Sequence, residues 1–187
     1  MLILETPRLI LRPFQDSDLE PFVAYRSDPE VARYQGWDMP YSVDKAIEFI
    51  AQMKRTQPAL QARWYQLAVE LKQGAPLIGD CAFHALAHDA RQAEIGFTLA
   101  RQYQRQGYAA EAVTRLLDYL FRDLGLHRVV ASCDVDNLAS ARLLERVGMR
   151  GEAHFVENIW FKGAWGSEYL YALLQREWAG SPGVNLP

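Results

Sequence analysis

Cysteine is scarce in this chain of 187 residues: Cys81 and Cys133 are the two present, both in apolar, strand-like stretches and not a close pair. A disulfide framework is therefore not expected, a reducing compartment fits better, and both read as small buried core residues rather than nucleophiles. No apolar run approaches the ~18 residues that suggest a membrane span. The start, Met1-Leu2-Ile3-Leu4-Glu5, lacks the basic flank and long apolar stretch of a signal peptide and reads as part of a first strand. A cytoplasmic protein is the expectation. Charge of one sign is also lacking: the formal net charge is -3, with no long Lys/Arg block. Sequence-independent nucleic-acid binding has no electrostatic footprint, and neither a nucleic acid nor a membrane is expected as a partner. A small basic pocket for a phosphorylated cofactor remains compatible with that balance. The histidines His84, His88, His127 and His154 form no helical metal pair, zinc-type spacing is absent, and no Gly-x-Ser-x-Gly elbow exists. No metal is expected.

What is present is an ordinary globular composition, 50% hydrophobic and 23% charged, which excludes a disordered chain. The length suits one domain, taken as residues 1–180, with Gly180-Ser181-Pro182-Gly183 opening a flexible tail at 181–187. Leu9 to Phe14 reads as a strand closed by proline, and Asp16 or Ser17 caps a helix running to about Arg26. Ser42 opens a second helix with Ala46, Ile47, Phe49, Ile50 and Met53 on its apolar face. Strand-like runs follow at Trp64–Leu71, Leu77–Leu86 and Ala93–Ala100, with Gln73-Gly74 and His88-Asp89 as turns. Tyr108 to Leu124 has helical spacing and stops at Gly125. His127–Asp134 reads as a buried strand, Asn137 and Ser140 introduce a shorter helix to Gly148, and a hairpin through Lys162-Gly163 closes the chain. The strands at Ala93 and His127 bracket one helix, so they are expected to be parallel.

The segment richest in chemistry is Ala93-Glu94-Ile95-Gly96-Phe97-Thr98-Leu99-Ala100, followed by Gln104-Arg105-Gln106-Gly107-Tyr108-Ala109. A strand enters a polar, glycine-bearing turn that opens directly into a long helix. The first amides of a helix have no intrahelical partners, and with the helix dipole they make an anion site. Gly107 lets a phosphate approach the backbone, and Arg101 or Arg105 adds positive charge. The spacing is neither a Walker loop nor the three-glycine dinucleotide fingerprint. A plain strand-to-helix turn accounts for it as well as a phosphate site does.

Gln104-x-x-Gly107-x-Ala109 resembles the Gln/Arg-x-x-Gly-x-Gly/Ala pyrophosphate motif of the GNAT N-acetyltransferase superfamily. Asn137-x-x-Ser140 with Leu144-Glu145-Arg146-Val147-Gly148-Met149 resembles that family's second coenzyme A segment. Thr6-Pro7-Arg8-Leu9-Ile10-Leu11-Arg12-Pro13 with Asp18, and the ending from Lys162-Gly163-x-Trp165 to Glu177-Trp178, are similar to the branch of ribosomal-protein N-terminal acetyltransferases. The resemblance runs from about Leu4 to Trp178. It implies an α/β (α+β) fold with a mixed, mostly antiparallel seven-stranded sheet, splayed open between its parallel fourth and fifth strands and flanked by about four helices. It implies acetyl-CoA as co-substrate and an amine acceptor, either a peptide N-terminus or a small molecule, with a homodimer also in view. Phe97, Thr98 and Leu99 would meet the pantetheine arm, amides in Gln104, Arg105, Gln106, Gly107, Tyr108, Ala109 and Ala110 the pyrophosphate, and Asn137 the arm's other side.

Amine acetylation needs a group to take the amine proton and one to assist the leaving thiolate. Glu94 is the candidate base, in an Ala-Glu-Ile context resembling the catalytic glutamate of histone-type members; an exposed strand residue or a partner of an arginine is the other reading. Many members carry a tyrosine seven positions after the asparagine, where this chain has Leu144. Ser140 matches a serine of the ribosomal-protein branch and is the candidate thiolate partner, or else a helix cap. Glu111 reads as a structural acid in a first helical turn. Tyr34 and Trp37, with Tyr41, fall in a loop that covers the acceptor in the family, and His154 and Glu157 fall where the branch lines its acceptor site. A non-catalytic acyl-CoA-binding sensor is the alternative to an enzyme.

Overall fold

The computed structural model describes residues 2–58, 63–74 and 76–180; the expected tail at 181–187 lies outside the described residues. Eight strands form one sheet: β1 (Leu4–Glu5), β2 (Leu9–Arg12), β3 (Tyr65–Leu71), β4 (Leu77–Leu86), β5 (Asp89–Leu99), β6 (Arg128–Asp134), β7 (Arg150–Phe161) and β8 (Ala164–Leu174). Their order is β1-β2-β3-β4-β5-β6-β8-β7, and only β5 and β6 pair in parallel. The helices are α1 (Leu19–Arg26), α2 (Pro29–Ala32), α3 (Val43–Arg55), α4 (Tyr108–Asp118), α5 (Leu138–Arg146) and α6 (Gln175–Gly180). No helix among the described residues is long and apolar enough to cross a membrane.

The sheet is mixed and mostly antiparallel, as expected, with one strand more than the spacing predicts. The extra strand arises because the chain folds back at Thr6. Its amide donates to the Leu9 carbonyl (3.0 Å) and its hydroxyl accepts the Leu9 amide (2.9 Å), so β1 pairs with β2. The parallel pair is therefore the fifth and sixth strands rather than the fourth and fifth. Two short helices were also not legible. α2 is a single turn with Pro29 at its start and the Asp28 side chain accepting the Glu30 amide (2.9 Å), too short to show a period.

Two cores cover the two faces of the sheet. On one face, Ala112, Val113, Leu116 and Leu117 of α4, followed by Leu120 and Phe121 in a π-helical extension, pack on Leu9, Leu67, Phe83, Ala93 and Ile95. Their four-residue spacing puts them on one stripe of the helix, which is why that stripe is buried. On the other face, α1 and α3 bring Phe22, Tyr25, Ile50 and Met53 onto Phe14, Ala68 and Leu77. Both cysteines are buried as free thiols; burial and the neighbouring acids Asp134, Glu168 and Glu145 push the Cys133 thiol up to about 11.

Candidate active site

The site begins as a defect in the sheet. β5 pairs with β4 without a break from Ala85↔Ala93 to Gly79↔Leu99, and again past a bulge at Leu86↔Asp89. With β6 it pairs only at Gln92↔Arg128, Ala93↔Val129 and Glu94↔Val130. Beyond Glu94 the two strands part, while β6 stays paired to β8 along all seven of its residues. Alternation of the backbone decides which groups face the gap. The Ala100 amide donates to Ile78 of the β4 side (2.8 Å), and the His127 amide donates to the Arg91 carbonyl from the β6 side (2.9 Å). Glu94, Gly96 and Thr98 therefore turn their amides and carbonyls to β4, and Ile95, Phe97 and Leu99 turn theirs to the gap. Of the three strand residues expected at the pantetheine arm, Phe97 and Leu99 turn their backbone to the gap. The Thr98 carbonyl instead lies against β4, close enough that a Cβ at Gly79 would overlap it. The Leu99 carbonyl accepts the Gln104 side-chain amide (2.9 Å).

The turn between β5 and α4 is held from outside. Arg105 and Gly107 take left-handed backbone (φ 61° and 83°), and Gly107 is the residue preceding the first turn of α4. A left-handed residue next to a right-handed one turns neighbouring amides to one side, the arrangement of an anion nest. Arg8, from the β1–β2 turn, donates to the Gln106 carbonyl (3.1 Å) and packs its guanidinium on the Tyr108 ring (4.5 Å). The same guanidinium pairs with Glu111 at 2.6 Å. Glu111 is 2% exposed and also accepts the Thr6 hydroxyl (2.5 Å) and the Arg8 amide (2.9 Å). Burial opposes its ionisation, but those hydrogen bonds outweigh it and hold the carboxyl below its ordinary value. Glu111 is thus a structural acid that ties the loop to the first hairpin. Arg8 entered the sequence reading only as part of a similar opening; its reach of about a hundred residues to Gln106 and Glu111 carries no local signal.

Across the gap, the Asn137 side chain accepts the Ser140 amide (3.2 Å) and caps α5. The capping is done by Asn137, and the Ser140 side chain lines the cleft. Leu144, where many superfamily members have tyrosine, is 1% exposed in the core and has no proton to give. The cleft between β5, α4 and α5 has a volume of about 710 Å³. Its lining joins Phe97, Thr98, Leu99, Gln104, Arg105, Gly107, Ala109, Ala110, Asn137 and Ser140 with Tyr34. Gln106 and Tyr108 stand beside it, their groups engaged by Gln102 and Arg8. Arg142 and Arg146 of α5 also line it, and with Arg105 they outnumber Glu30, the acid on its wall. An acidic protein thus has a basic cleft. Sequence reasoning missed Arg142 and held Arg146 only as one residue of the second coenzyme A segment, because exposed helix arginines are common.

The family description "Acetyltransferase (GNAT) domain" matches residues 8–150. The chain belongs to the GNAT acetyltransferase family. It is 36% identical over 175 residues to YoaA of Bacillus subtilis (strain 168), described as an uncharacterized N-acetyltransferase, covering 92% of this chain and 97% of that one. Among solved structures it is similar to a GNAT-family acetyltransferase from Bacillus anthracis (30% identity, TM-score 0.83, covering 94% and 99% of the two chains). It is also similar to spermidine N-acetyltransferase from Vibrio cholerae in complex with CoA and spermine (26% identity, TM-score 0.78, covering 94% and 100%). The acetyltransferase family uses acetyl-CoA, and the free strand edge, the loop amides and the arginines fit its pantetheine and phosphates.

Glu94 lies on the face of the acetyltransferase opposite α4, at the closed end of the gap. His84 stands beside it, with Nε2 3.1 Å from Glu94 Oε2, and Trp64 packs on His84 with ring centroids 4.2 Å apart. The other expected acceptor residues are scattered. Tyr34 donates its hydroxyl to the Asp136 carbonyl (3.2 Å) at the cleft mouth. Trp37 instead donates to the Arg26 carbonyl (2.9 Å) and stacks on the buried Arg26 guanidinium at 4.1 Å, as a cover of the second core. His154 packs against Tyr169 (5.0 Å) on the α4 and α5 face, away from Glu94. Glu157 occupies a bulge where Val156 to Asn158 face the single Ser167, with φ 47° and its amide donated to the Ser167 hydroxyl (2.9 Å).

Proposed function

We propose that the protein transfers the acetyl group of acetyl-CoA to a primary amine by direct attack within a ternary complex. The observation that carries this reading is the gap between β5 and β6, whose free backbone runs from Glu94 to the amide-lined loop at Gly107. An unpaired strand edge inside a sheet needs a partner, and the amides and carbonyls of the pantetheine arm provide one. The loop amides from Arg105 to Ala110 then hold the pyrophosphate at the positive end of α4, assisted by Arg105, Arg142 and Arg146. The Asn137 side-chain nitrogen, its oxygen being occupied by the cap, is free to meet the arm from the α5 side.

Glu94 takes the proton that the amine nitrogen gives up as it attacks the thioester carbon. The Ser140 hydroxyl donates a hydrogen bond to the departing thiolate, work that Leu144 cannot do. The acceptor is an N-terminal α-amine of a protein or a small amine. The first is supported by the opening and closing segments similar to the ribosomal-protein branch, the second by the likeness to a spermidine acetyltransferase. The single-domain reading and a homodimer belong to the same proposal. The edge hairpin, with exposed Trp160 on β7 and Trp165 on β8, supports pairing of two copies, and light scattering of the pure protein tests it.

The test of function is thiol release from acetyl-CoA by the pure protein, with peptides bearing free N-termini and with small amines including polyamines. Amine-dependent release establishes the transferase and names its acceptor. CoA binding by calorimetry without release for any amine would make the protein a sensor.

A further inference from the structure

His84 and Glu94 are cross-strand partners on β4 and β5. His84 Nδ1 lies 2.9 Å from the Ala85 carbonyl oxygen, which only accepts, so Nδ1 carries a hydrogen. Nε2 lies 3.1 Å from Glu94 Oε2. A neutral ring protonated at Nδ1 would set the Nε2 lone pair against a carboxylate oxygen, a repulsive arrangement. A hydrogen between Nε2 and Oε2 removes that repulsion and makes the contact a hydrogen bond. Both side chains are partly shielded, 17% and 28% exposed, and the Trp64 ring covers His84 and reaches over Gly96. The ring therefore cannot swing to another partner without leaving Trp64.

We infer that His84 is a positioning residue for Glu94: the two share one proton, which fixes Oε2 and leaves Oε1 as the oxygen that receives the proton of the acceptor amine. This rests on the reading of Glu94 as the base. In the step, the lone pair of the neutral amine bonds the thioester carbon while the amine N–H bond breaks and an O–H bond forms at Oε1. The C–S bond then breaks, and the sulfur leaves with its electron pair as the coenzyme A thiolate beside Ser140. The proton then leaves Glu94 for water along its exposed side. Without His84 the carboxylate is free to rotate, and the geometry at the closed end of the gap is lost.

The experiment measures kcat and KM for acetyl-CoA in His84→Leu, His84→Gln, Glu94→Gln and the double variant His84→Leu/Glu94→Gln. Glutamine keeps an N–H donor for Oε2 without the imidazole ring. His84→Leu is expected to lower kcat about ten- to a hundredfold, within the range for misplacing an acid–base group, with KM for acetyl-CoA nearly unchanged. His84→Gln recovers most of that loss, and the double variant is no slower than Glu94→Gln, because residues acting as a unit are not additive. Full turnover in Glu94→Gln overturns the base and this inference together. Loss in Glu94→Gln with full turnover in His84→Leu, or with losses that multiply, overturns this inference alone. Nitrogen NMR of the intact protein does not depend on any variant folding. A protonated Nδ1 is expected, and an Nε2–H tautomer with bare Nδ1 overturns the inference.

Discussion

The two edges of β5 receive opposite treatment from the same eleven residues. Toward β4 the ladder runs unbroken from Ala93 to Leu99; toward β6 the pairing ends at Glu94. The strand composition is no poorer beyond that point, since Ile95 and Leu99 are buried in the core. What differs is the neighbour: β6 is paired to β8 along its full length and leaves with it. The lesson is that one strand can supply core packing with its side chains while its backbone stays available for a ligand. Those two uses are separable only because side chains and backbone groups point in different directions.

Proline breaks this comparison most severely. Thr98→Pro deletes an amide aimed at β4 and is expected to destabilise the protein by about 3 kcal/mol or more relative to Thr98→Ala. Phe97→Pro deletes one aimed at the gap. Relative to Phe97→Ala it should leave stability within about 1 kcal/mol but weaken acetyl-CoA about tenfold, the worth of one hydrogen bond at its upper range. Paired urea unfolding and calorimetry read both numbers. Equal destabilisation at the two positions would deny that β5 has a free edge.

A step smaller is Gly107→Ala. The left-handed backbone at φ 83° costs an alanine about 1–2 kcal/mol, and its Cβ would stand 3.2 Å from Arg8 Nη2. Acetyl-CoA affinity is expected to fall about tenfold by calorimetry, with kcat at saturation retained. Arg8→Ala releases the same loop from its outer tether, and a several-fold rise in KM for acetyl-CoA is expected, on the order of 1 kcal/mol. Arg8→Lys should not restore it, because an ammonium lacks the fork that reaches Glu111 and Gln106 together.

The smallest expected effect is in pH. The carboxyl of Glu111 is held below its ordinary value in the fold, so its contribution to stability is present above the unfolded value and is lost as pH falls through the folded one. Melting temperature should decline into the acid range in the native protein, and less steeply in Glu111→Gln. An identical slope in both would remove Glu111 from the clamp.

Much of the cofactor side was legible. The helix stripe from Ala112 to Phe121, the glycine at the start of α4 and the asparagine before α5 are local patterns, and local patterns survive in sequence. The acceptor side was less so. Trp37 and His154 were expected there from the resemblance, but strand parity and core packing turned Trp37 onto Arg26 and His154 onto Tyr169. His84 gave no motif at all, since its meaning depends on standing across from Glu94.

By itself the sequence determined the order of the longer elements, the parallel pair, the glycine turn that opens α4 and the family, because each rests on residues within one or two turns of chain. Tertiary structure alone decided where the sheet parts, which amides of β5 are free, and how Arg8 braces a loop almost a hundred residues away. Those outcomes depend on register and on which neighbour each strand follows. Both are set by packing between distant segments, where no local spacing records them.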